Sequence, residues 1–501
     1  MSKTVNYIIV QAGGKGTRME YLTYNKPKAL VPIDNLPMLF HLFRKYPEHK
    51  FIVIGDYKYD VLERYLAAFA TVDYTIVDAR GKKGTCAGIS DALERIPEDE
   101  AFMLIWSDLI LPKEYVMPEV SCDYIGISKD FRCRWSYKDG ELVEEPSTEF
   151  GVAGHFIFTD KSKLAGIPEE GEFVRWLQSK GKTFEELALY KTKEYGLLSE
   201  YQKQQVCRCR PFNRITIDGD RIIKEGIDAQ GKALAVRENA WYQKVKEQNF
   251  TNVPKIYSTD PLVMERIDGQ NIFEYELSFE EKAHVLKELI ACITEIHQLE
   301  SCETDKESYF EAYIGKTFDR LKKVEELVPF AKDEYITING VKCKNVFFCK
   351  EELEAQVMEY LPEKFELLHG DCTFSNMLLK QGTTPVMIDP RGYFGFTELY
   401  GDPAYDWVKL YYSVVGNYDQ FNLKRFTLKI EEDEVLLEIQ SNHWEEMEDE
   451  FFTLLDGQVT RKQMKLLHAI IWLSLTTYAW EDYDSICGAF YNGLLLLNEA
   501  M

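Results

Sequence analysis

The residues best suited to chemistry fall into two groups that lie far apart in the chain. The first group is Gln11-Ala-Gly-Gly-Lys-Gly-Thr-Arg18, followed by Lys26-Pro-Lys28. The second is His369-Gly-Asp371, Asn376 and Ile388-Asp-Pro-Arg391. Glycines and basic residues directly after a strand suit phosphate binding, and carboxylate and amide oxygens suit Mg²⁺. The sequence therefore predicts two separate sites that handle phosphate.

Glycine in the first group lets backbone N–H groups approach phosphate oxygens without obstruction by a Cβ atom. Arg18 is predicted to bind a triphosphate, and Lys28 to neutralise a second anionic group near the reaction centre, which makes both candidate catalytic residues. The candidate nucleotide-binding residues of this group are Gln11, Ala12, Gly13, Gly14, Lys15, Gly16 and Thr17.

This segment, continued by Pro27-Lys-Ala-Leu30, resembles the sugar-phosphate nucleotidyltransferases over residues 5 to 203. Gly84-Thr-Cys-Ala-Gly88 is similar to the family's second nucleotide loop, which implies that Gly84 and Thr85 bind nucleotide. Trp106-Ser-Asp108 resembles the segment with the metal-binding aspartate. Glu194-Tyr-Gly196 stands where the family has a second metal-binding aspartate, so the resemblance makes Asp108 and Glu194 candidate metal ligands.

The resemblance implies attack by a phosphate oxygen on the α-phosphorus of a nucleoside triphosphate, with release of pyrophosphate. Because two anions must meet, Mg²⁺ held by carboxylates is expected between them. Asp108 suits that role, although a helix N-cap or a solvated turn residue is the alternative interpretation.

The second group has the spacing of a phosphoryl-transfer site. Asp371, Asn376 five residues later and Asp389 after a strand resemble the aminoglycoside phosphotransferase and choline kinase-like family, which has the protein-kinase fold. The resemblance implies that Asp371 is the catalytic base and that Asn376 and Asp389 hold Mg²⁺. It also implies that Asp406 braces the catalytic loop and that His369 belongs to the scaffold.

The remaining kinase positions precede this group. The resemblance assigns Met264, Glu265 and Ile267 to the adenine-binding hinge. Lys224 is expected to contact the α- and β-phosphates and Glu238 to pair with it, and Lys232 and Glu225 are the alternatives. Arg391 could bind an anionic acceptor, or form a salt bridge within the lobe.

Composition limits the classes of partner. The chain has 501 residues and a formal charge of −24, which argues against nucleic acid and anionic membranes as partners. Small molecules and nucleotides are the expected partners. No apolar run reaches the 18 or so residues of a membrane span, and a strand expected from Val5 leads us to expect no signal peptide. The tightly spaced Cys207-Arg-Cys209 does not suit zinc, and the odd total of 11 cysteines favours free thiols in the cytoplasm.

Alternating strands and helices in the first 200 residues predict an α/β fold with a doubly wound, mostly parallel sheet. Expected strands are Val5–Val10, Phe51–Ile54, Tyr74–Val77, Phe102–Trp106 and Gly151–Phe158, and expected helices are Pro37–Tyr46, Tyr59–Phe69 and Ala87–Ile96. Ligands bind such sheets at the carboxyl ends of the strands, where the glycine-rich segment lies.

The pattern changes near residue 203. Arg214–Lys224 alternates around Asp218-Gly219 and predicts a hairpin, followed by a helix at Lys232–Glu247, a strand at Pro261–Ile267 and a helix at Phe279–Leu299. We therefore expect two domains, 1–203 as a nucleotidyltransferase and 204–501 as an α+β, bilobal small-molecule kinase. The kinase lobes are predicted at about 204–270 and 271–501.

These features predict a bifunctional enzyme. Its second domain would phosphorylate a small, sugar-like metabolite with ATP, and its first would transfer a nucleoside monophosphate from a second nucleoside triphosphate, CTP by pathway analogy. The product would be an activated precursor of bacterial surface polysaccharide. The acceptor, the nucleobase and the oligomeric state are left open by the sequence.

Three alternatives are weighed against this prediction. One is a choline or amino-alcohol kinase fused to a phosphocholine-type cytidylyltransferase, in which C-terminal aromatic residues would form a cation-binding cage. Core packing is the alternative role of those residues: Trp472, Tyr478, Trp480, Tyr483, Phe490 and Tyr491. The others are an antibiotic phosphotransferase and a nucleotide-sensing regulator.

Overall fold

The computed structural model describes residues 2–203 and 213–501. It contains two compact units, one comprising Met1–Val206 with Glu481–Asp484 and the other Cys207–Trp480 with Ser485–Met501. The segment Cys207-Arg-Cys209 and the predicted boundary after residue 203 concern residues 204–212, outside the described residues. Both therefore stay predictions.

Parallel strands form the centre of the sheet in the first unit. Val5–Gln11 lies between Lys50–Gly55 and Ala101–Trp106 and runs parallel to both, and Tyr74–Asp78 extends this parallel set. Gly151–Phe158 pairs antiparallel with Ala101–Trp106. The predicted α/β class with a largely parallel nucleotidyltransferase-like sheet is confirmed.

Both faces of the central strands are buried, as a doubly wound sheet requires. Ile9 and Leu104 pack in one apolar cluster with Phe173 and Leu177 of a covering helix. Ile8, whose side chain points to the opposite face, is also fully buried. This packing holds the carboxyl ends of the strands, and the loops that follow them, in fixed positions.

The elements of the first unit match the expected order, although the helix expected at 87–96 is shorter because Gly88 has a φ of 76°. The strands are β1 (Val5–Gln11), β2 (Pro32–Ile33), β3 (Leu36–Pro37), β4 (Lys50–Gly55), β5 (Tyr74–Asp78), β6 (Ala101–Trp106), β7 (Leu109–Ile110), β8 (Tyr124–Ser128), β9 (Ser136–Lys138), β10 (Glu141–Val143), β11 (Gly151–Phe158), β12 (Glu185–Ala188) and β13 (Lys193–Glu194). The α-helices are α1 (Met38–Lys45), α2 (Tyr59–Phe69), α3 (Ile89–Leu93), α4 (Phe173–Ser179) and α5 (Leu198–Gln202).

The second unit begins with a small antiparallel sheet and continues as a mainly helical lobe. The predicted hairpin is present, with Ile217 opposite Ile222. The helix after it starts at Ala229, earlier than expected, because the Asp228 side chain accepts a hydrogen bond from the Gly231 N–H and caps the helix. The predicted helix Phe279–Leu299 has the expected bounds.

The elements of the second unit follow in chain order. Its strands are β14 (Asn213–Asp218), β15 (Arg221–Gly226), β16 (Ile256–Thr259), β17 (Leu262–Glu265), β18 (Gly269–Asn271), β19 (Ser301–Glu303), β20 (Tyr335–Ile338), β21 (Val341–Lys344), β22 (Lys364–Leu367), β23 (Met377–Lys380), β24 (Thr384–Met387), β25 (Tyr393–Phe394), β26 (Thr397–Glu398), β27 (Tyr400–Gly401), β28 (Phe426–Ile430) and β29 (Val435–Ile439). Its α-helices are α6 (Ala229–Glu247), α7 (Phe279–Leu299), α8 (Lys306–Phe310), α9 (Lys316–Leu321), α10 (Val324–Leu327), α11 (Lys350–Met358), α12 (Pro403–Val414), α13 (Tyr418–Asn422), α14 (Glu448–Leu455), α15 (Arg461–Leu475) and α16 (Tyr483–Ala500). Within the described part of the chain, no helix combines the length and apolarity needed to cross a membrane.

Candidate active sites

The glycine-rich loop lies at the carboxyl end of β1, as the sheet topology predicts. Gly14, Lys15, Thr17 and Arg18 are exposed and therefore accessible to a ligand, whereas Ala12 is buried beneath them.

Gly16 brings this loop close to Lys28. Its φ is 64°, and a Cβ atom at this position would lie 3.1 Å from the Cβ of Lys28. Glycine is favoured here because it adopts positive φ without strain and leaves room for the lysine.

Gln11 connects the two predicted nucleotide loops. Its Nε2 donates a hydrogen bond to the carbonyl oxygen of Thr85 at 2.7 Å. The hydroxyl of Thr85 in turn accepts a hydrogen bond from the Phe173 N–H at 2.8 Å. The loop that contains Gly84 and Thr85 is thereby held beside the end of β1.

Lys28, Asp108 and Glu194 form one charged group. Lys28 makes an ion pair with Asp108. Strand β13 pairs with β7, which places Glu194 opposite Leu109, and the Tyr195 N–H donates to the carbonyl oxygen of Asp108 at 3.1 Å. Burial and the charge of Asp108 raise the pKa of Glu194, although Lys28 partly offsets them.

Lys26 has different partners from Lys28. It is buried and forms ion pairs with Asp482, at 3.1 Å, and with Asp484, both in the short segment assigned to the same unit. The ammonium group of Lys26 is therefore occupied by these two ion pairs. Lys28 is the lysine of this motif that contacts Asp108.

The oxygens of Asp108 and Glu194 suit Mg²⁺. Across residues 2–203 and 213–501 there is no group of three or more His, Cys, Asp or Glu side chains that could hold a metal ion. Mg²⁺ needs no such cage, because it is usually held by one or two carboxylates together with substrate phosphates and water. These two residues would therefore hold the ion jointly with a nucleotide.

The catalytic loop of the second unit follows β22. Asp406 is fully buried and accepts hydrogen bonds from the backbone N–H groups of His369, at 2.9 Å, and Gly370, at 2.7 Å. Gly370 has a φ of 81°, and a Cβ atom there would come within 2.8 Å of the Cβ of Arg391. The geometry agrees with the bracing role that the resemblance implies for Asp406.

A short hairpin brings Asn376 opposite Ile388, the residue that precedes Asp389. Strands β23 and β24 pair antiparallel, with Met377 opposite Met387, so the residues just outside them meet. The Nδ2 of Asn376 donates to the carboxylate of Asp371 at 2.8 Å, which leaves its Oδ1 for a metal ion. Asp389 has a φ of 59°, an uncommon backbone conformation for a non-glycine residue that occurs in functional loops.

Lys224 lies between Glu238 and Asp389. Its Nζ is 2.8 Å from the carboxylate of Glu238 and also makes an ion pair with Asp389. Burial and the charge of Asp389 raise the pKa of Glu238 to about 7. The structure thus brings Lys224 and Glu238 together.

The alternative residues are placed elsewhere. Lys232 is exposed, and Glu225 pairs with Arg214 at 3.0 Å. At the predicted hinge, Met264 and Ile267 are buried, and Glu265 lies 3.4 Å from Lys380. That each of these hinge residues binds the nucleotide stays a prediction.

Lys409 was missed by the sequence reasoning. Its Nζ lies 3.0 Å from the carboxylate of Asp371, and although burial of Asp371 acts in the opposite direction, Lys409 lowers the pKa of that carboxyl group. Lys409 follows Asp406 by three residues on α12, and residues at that spacing share a helix face. That spacing is the signal that could have revealed it.

Of the six C-terminal aromatic residues, Tyr478 is 39% exposed and Trp480 is half-buried, whereas the other four are buried. Trp472, Phe490 and Tyr491 are fully buried, and Trp472 donates a hydrogen bond from its Nε1 to His468 at 3.1 Å. For these residues core packing, the alternative role, is the observed one.

These two sites define a chain with two transferase domains. Residues 8–123 match the family model of the MobA-like NTP transferase domain, and residues 219–447 match that of the phosphotransferase enzyme family. Both resemblances seen in the sequence are confirmed. The chain combines a nucleotidyltransferase domain with a kinase-like phosphotransferase domain.

Its relatives include sugar-phosphate nucleotidyltransferases. A UTP–glucose-1-phosphate uridylyltransferase of Haloferax volcanii is 34% identical over 166 residues, which cover 32% of this chain and 65% of the relative, just under two thirds of its length. A glucose-1-phosphate cytidylyltransferase of Salmonella typhimurium is 28% identical over 263 residues, 45% of this chain and 96% of the relative. The structure of a CTP:phosphocholine cytidylyltransferase from Streptococcus pneumoniae is 18% identical, with a TM-score of 0.34 over 40% of this chain and 96% of that one.

Proposed function

We propose that the phosphotransferase domain transfers the γ-phosphoryl group of ATP to a hydroxyl of a small, sugar-like metabolite. The nucleotidyltransferase domain then joins the phosphorylated product to a nucleoside monophosphate. The observation that carries the proposal is the grouping of complementary charges at each site. In one unit Asn376 donates to Asp371, which pairs with Lys409, and Asp389 pairs with Lys224. In the other unit Asp108 pairs with Lys28, and the charges of both act on Glu194.

In the first reaction, the carboxylate of Asp371 accepts the proton of the acceptor hydroxyl. The hydroxyl oxygen forms a bond to the γ-phosphorus, the bond from that phosphorus to the bridging oxygen breaks, and ADP leaves. Lys224 binds the α- and β-phosphates. Mg²⁺, held by Asn376 and Asp389, would neutralise phosphate charge.

In the second reaction, a phosphate oxygen of the product attacks the α-phosphorus of a nucleoside triphosphate, and pyrophosphate leaves. Lys28 and Arg18 neutralise the charges that meet at this point. We propose CTP as the nucleotide and a surface-polysaccharide precursor as the product. A relative named glucose-1-phosphate cytidylyltransferase supports CTP, whereas another is named for uridylyl transfer.

Separate assays of ADP and pyrophosphate test the proposal. The protein is incubated with ATP, each nucleoside triphosphate in turn and a panel of sugars, polyols and amino alcohols. Asp371→Asn should abolish ADP formation but retain pyrophosphate release from a supplied phosphorylated acceptor, and Asp108→Asn should do the reverse. Loss of both activities in either folded variant would contradict the two-site assignment.

Three of the residues named for the choline alternative lie in the core. A quaternary ammonium ligand needs accessible aromatic faces, and Trp472, Phe490 and Tyr491 are buried in the core. A sugar-like acceptor is therefore the better proposal.

A further inference from the structure

Cationic side chains surround Tyr405 beside the predicted catalytic base. The charged groups of Lys316, Arg391 and Lys409 lie 5.4, 5.7 and 6.0 Å from the centre of the Tyr405 ring. Lys409 also contacts the carboxylate of Asp371. The positive charges are therefore adjacent to the place where an acceptor hydroxyl must lie.

The guanidinium group of Arg391 has hydrogen-bond partners at two of its three nitrogens. Its two terminal nitrogens donate hydrogen bonds to the hydroxyls of Tyr405, at 2.6 Å, and Tyr393, at 2.8 Å. Its Nε is buried and has no hydrogen-bond partner. Because buried N–H groups are almost always bonded to protein, ligand or water, the Nε is a donor available to a bound molecule.

A fourth cation, Arg320, lies one turn after Lys316 on α9 and donates to the carbonyl oxygen of Ser474 at 2.5 Å. We call these four residues the basic cluster: Lys316, Arg320, Arg391 and Lys409. The turn that precedes α9, Glu311–Gly315, is π-helical, a local distortion that is frequent at functional sites.

The basic cluster is only partly neutralised by the protein, because Asp371 pairs with Lys409 and the charge of Glu311 favours the protonated form of Lys316. Within residues 2–203 and 213–501, Lys409 has a carboxylate within 4 Å, but Lys316, Arg320 and Arg391 have none. Burial and the neighbouring cations of Arg391 and Arg320 lower the pKa of Lys316 well below its ordinary value. Partly buried charges that repel each other are costly unless an opposite charge joins them.

The positions of these residues in the fold favour the acceptor, rather than the nucleotide, as the ligand that brings a negative charge to the basic cluster. Lys316 and Arg320 are on α9 and Lys409 is on α12, all in the helical lobe. The predicted nucleotide contacts, such as Lys224 and Met264, are on strands of the small lobe.

We propose that the phosphoryl acceptor of this domain is itself an anion, a hydroxy acid or a sugar that carries a carboxylate or phosphate group. Its negative group binds Arg391, Lys316 and Arg320, and its hydroxyl faces Asp371. This inference rests on the proposed kinase function and specifies its substrate class.

Matched acceptors test the inference. ADP formation by the full chain is compared for glycerol and glycerate, for glucose, gluconate and glucose 6-phosphate, and for the amines ethanolamine and glucosamine. At least one acid should exceed its neutral counterpart in kcat/KM by about 10-fold or more, since hydrogen bonds between charged groups contribute about that much. Lys316→Met should raise the KM for that acid about 10- to 100-fold and leave the KM for ATP unchanged.

Two further variants separate a binding role from a structural one. Lys316→Arg should restore most of the acid preference, and Lys322→Met, which removes an exposed lysine from the end of the same helix, should behave like the wild type. Thermal stabilisation by the preferred acid without ATP should be lost in Lys316→Met.

Each contrary result has a distinct meaning. Equal or better use of neutral or amino acceptors would overturn the inference and leave the kinase function standing. A raised KM for ATP alone in Lys316→Met would assign the basic cluster to nucleotide phosphates and also overturn it. Absence of ADP with every acceptor would refute the proposed function, and this inference with it.

Discussion

The carboxylate of Asp371 lies 3.0 Å from the ammonium group of Lys409, which approaches it from helix α12. The same helix carries Asp406, whose carboxylate holds the backbone of the catalytic loop at His369 and Gly370. One helix therefore positions both the backbone of the loop and the side chain of Asp371, the proposed catalytic base.

Replacing Lys409 with methionine should lower kcat for ADP formation by about 100-fold. Without Lys409, Asp371 loses the cation that orients its carboxylate, and displacement of a catalytic group by about 1 Å can lower the rate about 100-fold. The KM for ATP should stay within about threefold of the wild-type value. Steady-state kinetics measure both, and exposed Lys462 replaced with methionine is the control. A raised KM for ATP with normal kcat would contradict a positioning role.

Replacing Asp406 with asparagine should destabilise the second unit by about 2–3 kcal/mol, because a buried carboxylate that accepts two backbone N–H groups is lost. Urea unfolding measures the change, and kinase activity should fall with it. Asp449, whose side chain is 93% exposed, offers a control in Asp449→Asn. Similar stability in the two variants would show that Asp406 does not brace the loop.

Replacing Glu194 with glutamine should increase the Mg²⁺ concentration needed for half-maximal pyrophosphate release, by about 10-fold. The variant keeps the size of the side chain but removes the negative charge that lies next to Asp108. Metal titration of the nucleotidyltransferase reaction tests this, with exposed Glu141→Gln as the control. An unchanged Mg²⁺ requirement would exclude Glu194 as a ligand.

Titration of His468 should make the second unit less stable as the pH falls below about 6.5, the ordinary pKa of histidine. Burial lowers the pKa of His468 to about 3, so between these values the unfolded chain binds a proton that the folded chain excludes. This group alone removes about 1.4 kcal/mol of stability per pH unit in that range. The contribution of neutral His468 to stability is fully retained above about pH 6.5, the pKa of histidine in the unfolded chain.

The variant His468→Gln isolates this effect. Glutamine offers Trp472 an acceptor but cannot titrate, so urea unfolding at pH 6.5, 5.5 and 4.5 should show a shallower decline than in the wild type. Parallel declines in the two proteins would mean that His468 does not contribute.

Local pattern in the sequence was enough to predict much of the fold. The alternation of apolar strands with helices located β1, β4, β5, β6 and β11, because periodicity depends only on nearby residues. Asp371, Asn376 and Asp389 were identified for a related reason. They flank one short hairpin, so their approach is determined within about twenty residues of chain.

Pairing between distant segments was decided by the tertiary structure. The sequence favoured Lys224 but left Lys232 as an alternative, and it offered Glu194 as a partner of Asp108 only by resemblance. It offered Arg391 for an anionic acceptor but missed the other three members of the basic cluster, which come from α9 and α12. Residue types and spacings specify which chemistry is available, but packing of separate elements determines which charges meet, because Coulomb interactions depend on distances that the order of residues does not contain.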